Sequence, residues 1–184
     1  MTKIEIEQLK GIIQRRWSYP PSVKAQNYVG RFFEQTRQDT KIKAKVEGNY
    51  GTYTVSIQAA DTGIDAACSC YIGSDGYCHH CEALAFTFIN NAEAFKLLPA
   101  KTKAKIKTLE DIHFYLQGVT LDYLLKELQA KGITQKSFAE SIGMSARHLS
   151  SIKSSELKNR YYHELGATKL ACLWVAEHCK STKK

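Results

Sequence analysis

The sequence predicts an α+β chain in which a small antiparallel β-meander and its helix precede an all-α part. Two observations lead to this fold class. Apolar residues alternate with polar ones in several short segments between residues 28 and 70, as they do in half-buried strands. Beyond residue 107 the apolar residues recur at helical spacing, and glycines divide the chain into segments.

In the first half, apolar spacing predicts a helix over residues 4–16, before Pro20 and Pro21 interrupt the chain. Alternation puts Ile42, Ala44 and Val46 on one face of a strand. Strands are expected at 28–33, 41–46, 52–57 and 64–70. The Ala- and Leu-rich segment 81–89 predicts the helix that follows the meander and ends near Asn90.

In the second half every segment is predicted to be helical, so this part is expected to be all-α. The predicted helices cover residues 109–116, 121–130, 134–142, 145–153 and 167–179. Residues 99–107 alternate lysine with small residues and have too few apolar side chains for a core, which predicts a linker. The expected domains are therefore 1–98 and 108–184.

The net charge of +8 is unevenly distributed along the chain. Residues 1–98 hold 11 Lys and Arg against 10 Asp and Glu, whereas residues 99–184 hold 15 against 8. A basic surface attracts nucleic acid by displacing condensed counterions, so the second half is the expected contact surface. No apolar run approaches the roughly 18 residues of a membrane span, and the first residues lack an apolar secretory signal. We expect a cytoplasmic protein without membrane contact.

Six cysteine and histidine residues fall within the stretch 68–81. Without an export signal, clustered cysteines indicate metal rather than disulfides. Residues two apart on a strand point the same way, so Cys68 and Cys70 can bind one ion from one face. Cys78 and His80 arrive from the other side of a Gly-rich turn. Four such ligands suit one tetrahedral Zn²⁺, which would tie the hairpin to the helix.

Two other interpretations of this cluster remain open. The residues can be buried free thiols with surface histidines, since cysteine is often a small apolar residue. They can also form a catalytic zinc site, which needs an open coordination position beside a general base. The nearest acids, Asp75 and Glu82, have no evident partner in the sequence, so four closed ligands are favoured and no enzyme is expected.

The pattern Cys-x-Cys, a short gap and Cys-x-His before an apolar helix resembles the SWIM zinc finger. The resemblance extends upstream through residues 28–32 and covers about residues 25–92 in all. It implies that Cys68, Cys70, Cys78 and His80 are the ligands, and that His79 and Cys81 are not. Tyr71 stands where many members have proline. SWIM modules accompany DNA-binding, recombination and transposition proteins, which implies a nucleic-acid or adaptor role.

Residues 133–153 have the sequence features of two short helices joined by a tight turn. Thr134 and Ser145 are good N-cap residues, and Gly143 suits the turn. At about 100° per residue, the outward face of the second helix carries one arginine and several serines. These are Arg147, Ser150, Ser151 and Ser154. An arginine can fork onto guanine in a major groove, and short hydroxyls allow close approach.

Lysines flank this predicted face and are expected to neutralise phosphates; they are Lys136, Lys153 and Lys158. The other interpretation is an ordinary helical hairpin with a solvated polar face, because this pattern arises easily by chance.

The same stretch resembles the Cro and Xre-type helix-turn-helix, with flanking helices over residues 120–180. The matching residues are Ile133-Thr134-Gln135, Phe138-Ala139, Gly143-Met144-Ser145 and Leu149-Ser150. The resemblance implies that Gln135 and Ser145 anchor the DNA backbone. It also implies that bases are read by Ala146, Arg147, Ser150, Ser151 and Ser154.

Together these features predict a zinc-containing, sequence-specific DNA-binding protein that controls transcription at the nucleoid. Its expected partner is double-stranded DNA, with a possible homodimer and a possible protein partner for the zinc module. The alternative is an accessory adaptor in DNA recombination, replication or mobile-element defence, in which the zinc module makes protein contacts.

Overall fold

The computed structural model describes residues 3–60, 63–98, 106–160 and 163–179, which form a mixed α+β fold. The chain divides into two compact units, residues 1–100 and 101–184, each with its own hydrophobic core. The division falls within the predicted linker 99–107, of which residues 99–105 lie outside the described residues. None of the described helices is both long and apolar enough to cross a membrane.

The described part of the first unit contains three α-helices, a short 3-10 helix at Ala92–Ala94 and a five-stranded sheet. Its helices are α1 (Lys3–Arg16), α2 (Val23–Gln26) and α3 (His79–Asn90). Its strands are β1 (Phe33–Gln38), β2 (Lys41–Gly48), β3 (Gly51–Ala60), β4 (Gly63–Cys68) and β5 (Lys96–Leu97). The strand order is β4-β3-β2-β1-β5; β1 to β4 form the predicted antiparallel meander, and the unpredicted β5 pairs parallel with β1.

The core of the first unit lies between one face of the sheet and the helices α1 and α3. The predicted alternation on β2 is confirmed, because Ile42, Ala44 and Val46 are all buried. Val55 and Ile57 are buried on β3, where Ile57 pairs with Ile42 and Val55 with Ala44. The helices contribute five large apolar side chains to the same cluster, namely Ile6, Leu9, Ile13, Leu84 and Phe88. This packing brings the start of α3 next to the end of β4.

The predicted strand over residues 28–33 is wrong. The side chain of Ser22 accepts a hydrogen bond from the Ala25 N–H and caps α2, a short helix that was not predicted. The chain then turns, with Gly30 at a φ of +79°. The Gly30 N–H donates to Thr87 Oγ1 at 2.9 Å, which fixes the turn on α3. Strand β1 begins only at Phe33.

All the described secondary-structure elements of the second unit are helices. Its helices are α4 (Leu109–Gly118), α5 (Leu121–Ala130), α6 (Gln135–Ser141), α7 (Ala146–Leu157) and α8 (Leu165–His178). They confirm the five predicted helices, with bounds that differ by a few residues. Aliphatic and aromatic side chains form the core, including Leu121, Leu124, Leu128, Phe138, Leu149 and Ile152.

Candidate metal centre

The metal centre lies where the end of β4 meets the start of α3, with residues 69–77 forming the connecting loop. Strand β4 ends at Cys68, so the prediction that Cys70 belongs to this strand is wrong. Cys70 lies in the bend that follows. Cys78 is the N-cap residue of α3, and His80 lies in its first turn. The loop therefore returns Cys78 and His80 to the two upstream cysteines.

Two glycines allow the loop to turn tightly behind the cysteines. The Cys68 N–H donates to the Gly73 carbonyl at 2.7 Å, and the Gly73 N–H donates to the Cys70 carbonyl at 3.2 Å. A Cβ atom on Gly73 would lie 2.5 Å from Cys68 Cβ and 2.7 Å from Cys70 Sγ. Gly76 has a φ of +77°, and a Cβ there would lie 2.5 Å from the Ala66 carbonyl oxygen. Only residues without a side chain fit at these two positions.

The four predicted ligands converge. One donor atom from each of Cys68, Cys70, Cys78 and His80 lies within 4.8 Å of all the others, and all four residues are buried. The distance from Cys68 Sγ to His80 Nδ1 is 3.8 Å. Sulfur at about 2.3 Å and nitrogen at about 2.0 Å from a tetrahedral zinc lie roughly 3.5–3.8 Å apart. The group can therefore close around one metal ion with small side-chain movements.

Hydrogen bonds and burial move the pKa values of the clustered thiols in opposite directions. The Cys70 N–H donates to Cys68 Sγ at 3.4 Å. Hydrogen bonds with Cys68 and Cys81 hold the pKa of Cys78 far below its usual range. The same contacts and burial raise the pKa values of Cys68 and Cys81.

Aromatic rings surround His80. The ring of Tyr28 meets the His80 imidazole edge-on at 4.7 Å between centroids, and the Tyr53 ring lies at 5.0 Å. His79 packs on the same imidazole at 4.1 Å. His80 Nε2 is buried without a hydrogen-bond partner in the described part of the chain. The other ring nitrogen, Nδ1, is the one that faces the cluster, 3.8 Å from Cys68 Sγ, and can bind the metal.

The acids beside the centre are engaged elsewhere. Both carboxylate oxygens of Glu82 accept hydrogen bonds from Ser22, from its N–H at 2.8 Å and from its hydroxyl at 2.5 Å. Asp75 accepts a hydrogen bond from the Ser74 hydroxyl at 3.0 Å. Glu82 therefore joins α3 to α2.

Two features of the centre were not predicted from the sequence. Cys81 is fully buried and its Sγ lies 3.7 Å from Cys78 Sγ, so a fourth thiol touches the group. A spacing of three residues at a helix start was the signal that could have identified this contact. The Glu82–Ser22 contact spans 60 residues and had no sequence signal. Comparisons with protein-family models, curated proteins and solved structures returned no match. The chemistry of the centre therefore follows from its own donor atoms.

The second predicted site is the surface formed by α6 and α7. As predicted, the side chains of Thr134 and Ser145 cap these two helices, and Gly143 turns the chain with a φ of +71°. The Gln135 side-chain amide donates to Ser150 Oγ at 2.8 Å and joins the two helices. Of the ten predicted DNA-contacting residues, eight lie on α6 and α7, and the other two, Ser145 and Lys158, are the N-cap and C-cap residues of α7.

The predicted outward face of α7 is accessible. Arg147, Ser150 and Ser154 are exposed, Ala146 and Ser151 are half-buried, and the Ser151 hydroxyl donates to the Arg147 carbonyl. The Arg147 guanidinium makes no hydrogen bond or ion pair to any residue that the structure describes. Lys136 lies 4.0 Å from Glu140. Lys153 is less available than expected, because its Nζ lies 3.4 Å from Asp122.

Proposed function

We propose that this chain is a zinc-containing, sequence-specific DNA-binding protein that regulates transcription. The observation that carries the proposal is the accessible face of α7, where Arg147, which has no partner among the described residues, is flanked by Ser150 and Ser154. Small side chains let a helix approach base edges, and one arginine can donate two hydrogen bonds to guanine. The helix that precedes α7 is fixed to it by the Gln135–Ser150 hydrogen bond.

Zinc is the metal that best fits the first unit. Three thiolates and one imidazole are soft and borderline ligands, which suit tetrahedral zinc better than magnesium or calcium. The role proposed for this ion is structural. Four protein ligands complete its coordination, and Glu82 is held by Ser22 rather than positioned to activate water.

Charge and resemblance support the DNA-binding role of the second unit. The excess of basic residues after residue 98 supplies the electrostatic attraction that duplex DNA requires. The similarity of residues 133–150 to the Cro and Xre-type helix-turn-helix suggests α7 as the recognition helix. Transcriptional control is the output expected for such a helix without catalytic groups beside it.

A selection from a random duplex library tests the proposal. The zinc-loaded full chain should enrich a defined sequence, and titration should give tighter binding to that duplex than to a scrambled one. Specific sites are usually bound about 10³-fold or more above non-specific DNA. Failure to bind any duplex at low salt would remove the DNA-binding role.

A second function, as an adaptor for protein partners in DNA recombination, replication or mobile-element defence, is favoured by the loop of the metal centre. Its side chains Tyr71, Ile72 and Tyr77 are 94%, 63% and 84% exposed. Large apolar side chains grouped on a surface are typical of interaction sites. Footprinting distinguishes the two functions, since an adaptor would leave no sequence-specific footprint.

A further inference from the structure

Cys81 is a thiol at the metal centre that the four-ligand group does not use. It is fully buried, and its Sγ lies 3.7 Å from Cys78 Sγ. Cys78 is the N-cap residue of α3 and Cys81 lies three residues later, in the first turn of the helix. The two residues form a Cys-x-x-Cys pair at a helix N-terminus, an arrangement found in disulfide-forming sites.

The two sulfurs are close enough to be joined by side-chain movement. A disulfide bond is about 2.05 Å long, so the sulfurs must approach by roughly 1.7 Å. Cys78 precedes the helix and follows the loop 69–77, so it is not fixed by helical hydrogen bonds on both sides. The approach therefore requires no disruption of α3.

Cys81 is the partner that remains reactive when the site is loaded. A bound ion would hold the sulfurs of Cys68 and Cys70 together with that of Cys78. Among the described residues, Cys81 then offers the one unligated thiol in contact with the cluster. The remaining cysteines of the chain, Cys172 and Cys179, belong to the other unit.

We propose that Cys78 and Cys81 form a redox site that is oxidised by hydroperoxides and releases the metal. This inference depends on the zinc centre proposed above. A hydroperoxide is the expected oxidant because Cys78 and Cys81 are both buried and admit only a small neutral reagent. The residue immediately before Cys78, Tyr77, is exposed.

The reaction has two steps. The Cys81 sulfur attacks one peroxide oxygen, the O–O bond breaks, and the departing hydroxide takes the Cys81 proton to become water. Cys81 is then a sulfenic acid. The Cys78 sulfur attacks Cys81 Sγ, the S–O bond breaks, and the departing hydroxide takes a solvent proton as a second water. Two electrons have passed from the sulfurs to the peroxide, and one disulfide has formed.

The disulfide removes one of the four ligands. Cys68, Cys70 and His80 cannot complete a tetrahedral structural site, so the ion is released. Release separates the end of β4 from the start of α3, which the ion would otherwise connect. The first unit therefore loses its central cross-link in response to peroxide.

The test uses the full chain loaded with one equivalent of zinc. Hydrogen peroxide is added in the presence of a chromogenic zinc indicator, and peptides are mapped after alkylation of the remaining thiols. The wild type should release one zinc per disulfide, the disulfide should join Cys78 to Cys81, and a dithiol reductant should restore zinc binding. Cys81→Ala keeps all four ligands and should retain its zinc while the wild type loses it.

Two further variants control this experiment. Cys81→Ser keeps the size of the side chain and should behave as Cys81→Ala, which separates loss of the thiol from loss of packing. Cys179→Ala removes a thiol of the other unit and should release zinc at the wild-type rate. Zinc release from Cys81→Ala and Cys81→Ser at the wild-type rate, or a disulfide between other cysteines, overturns the redox site alone. A wild type that holds no zinc before oxidation overturns the zinc centre as well.

Discussion

The two units of this chain are stabilised in different ways. The core of the first contains four buried cysteines and the buried His80 beside its apolar side chains. The core of the second is aliphatic and aromatic, with Cys172 as its buried cysteine among the described residues. A core that brings three thiols and an imidazole within 4.8 Å of one another can hold an ion, and binding of that ion would add to its stability. The first unit is therefore expected to depend on metal, and the second is not.

The second unit has a buried polar cross-link of its own. Lys169 on α8 forms an ion pair with Glu156 on α7 at 2.5 Å, and their side chains are 7% and 14% exposed. Lys169 also donates to the Leu116 carbonyl on α4, while Glu156 accepts from the Leu121 N–H on α5. One charge pair thus connects four helices. The first unit thus has a polar cluster that can hold an ion, whereas the second has a buried ion pair.

Removal of a metal ligand should give the largest effect. Cys68→Ser and His80→Ala each remove one of the four ligands and should lose zinc. The effect on folding should be large, because structural zinc sites contribute about 10–16 kcal/mol of folding free energy near neutral pH. The first unit should then become sensitive to protease while the second keeps its helices. Elemental analysis, limited proteolysis and circular dichroism measure these outcomes.

Cys81→Ala is the matched control for the ligand variants, since it removes a buried thiol next to the site without removing a ligand. It should keep one zinc per chain. Full zinc content in Cys68→Ser would contradict the ligand assignment. Loss of the helical signal from an isolated 108–184 fragment on chelation would contradict the independence of the second unit.

A change in the loop should be smaller but still specific to the first unit. Gly73→Ala places a methyl group 2.7 Å from Cys70 Sγ, so the loop must shift and the zinc affinity should fall. Competition with a chromogenic chelator measures this affinity. Gly11→Ala is the control, because its Cβ meets nothing within 4 Å and Gly11 lies inside α1. It should leave zinc affinity unchanged and stabilise the unit by about 0.5–1 kcal/mol; equal zinc affinities for both variants would contradict the packing argument.

The sequence predicted most helices and the meander, because these elements show regular apolar spacing. It misplaced the strand at 28–33, whose aromatic and β-branched residues favour a strand locally. There a tertiary hydrogen bond from Gly30 to Thr87 holds a turn, and a strand propensity cannot reveal such a contact. The two-residue β5 was missed because its position depends on pairing with β1.

The ligand set was predictable because Cys and His were clustered in sequence. Long-range contacts were not predictable. Lys169 is a charged residue in a helix, and nothing in its sequence neighbourhood indicates a partner 13 residues upstream in Glu156. The pairing of Lys153 with Asp122 likewise joins residues 31 positions apart. Pairs of this kind depend on how the helices pack.

The buried Lys169–Glu156 pair allows the second unit to be destabilised while the first is left unchanged. Lys169→Met leaves Glu156 without its cation and should destabilise the second unit by about 3–5 kcal/mol, as broken buried ion pairs do. Zinc content should be unchanged. Lys126→Met removes the exposed partner of Asp122, where the cost should stay within about 1 kcal/mol. Denaturant unfolding of the helical signal measures both, and equal effects of the two variants would show that burial of the Lys169 pair is unimportant.

The smallest effect is expected on DNA binding by the second unit. Arg147→Ala should cost about 1–3 kcal/mol on the preferred duplex and relax specificity there, as expected for a bidentate guanine contact. Lys158 is exposed at the end of α7, so Lys158→Ala should weaken all duplexes alike and lower the salt slope by about one unit. Lys153→Ala should lower the slope less, because Asp122 already offsets that charge. Titrations at several salt concentrations with preferred and scrambled duplexes measure these differences. Equal losses on both duplexes for Arg147→Ala would exclude it from base readout.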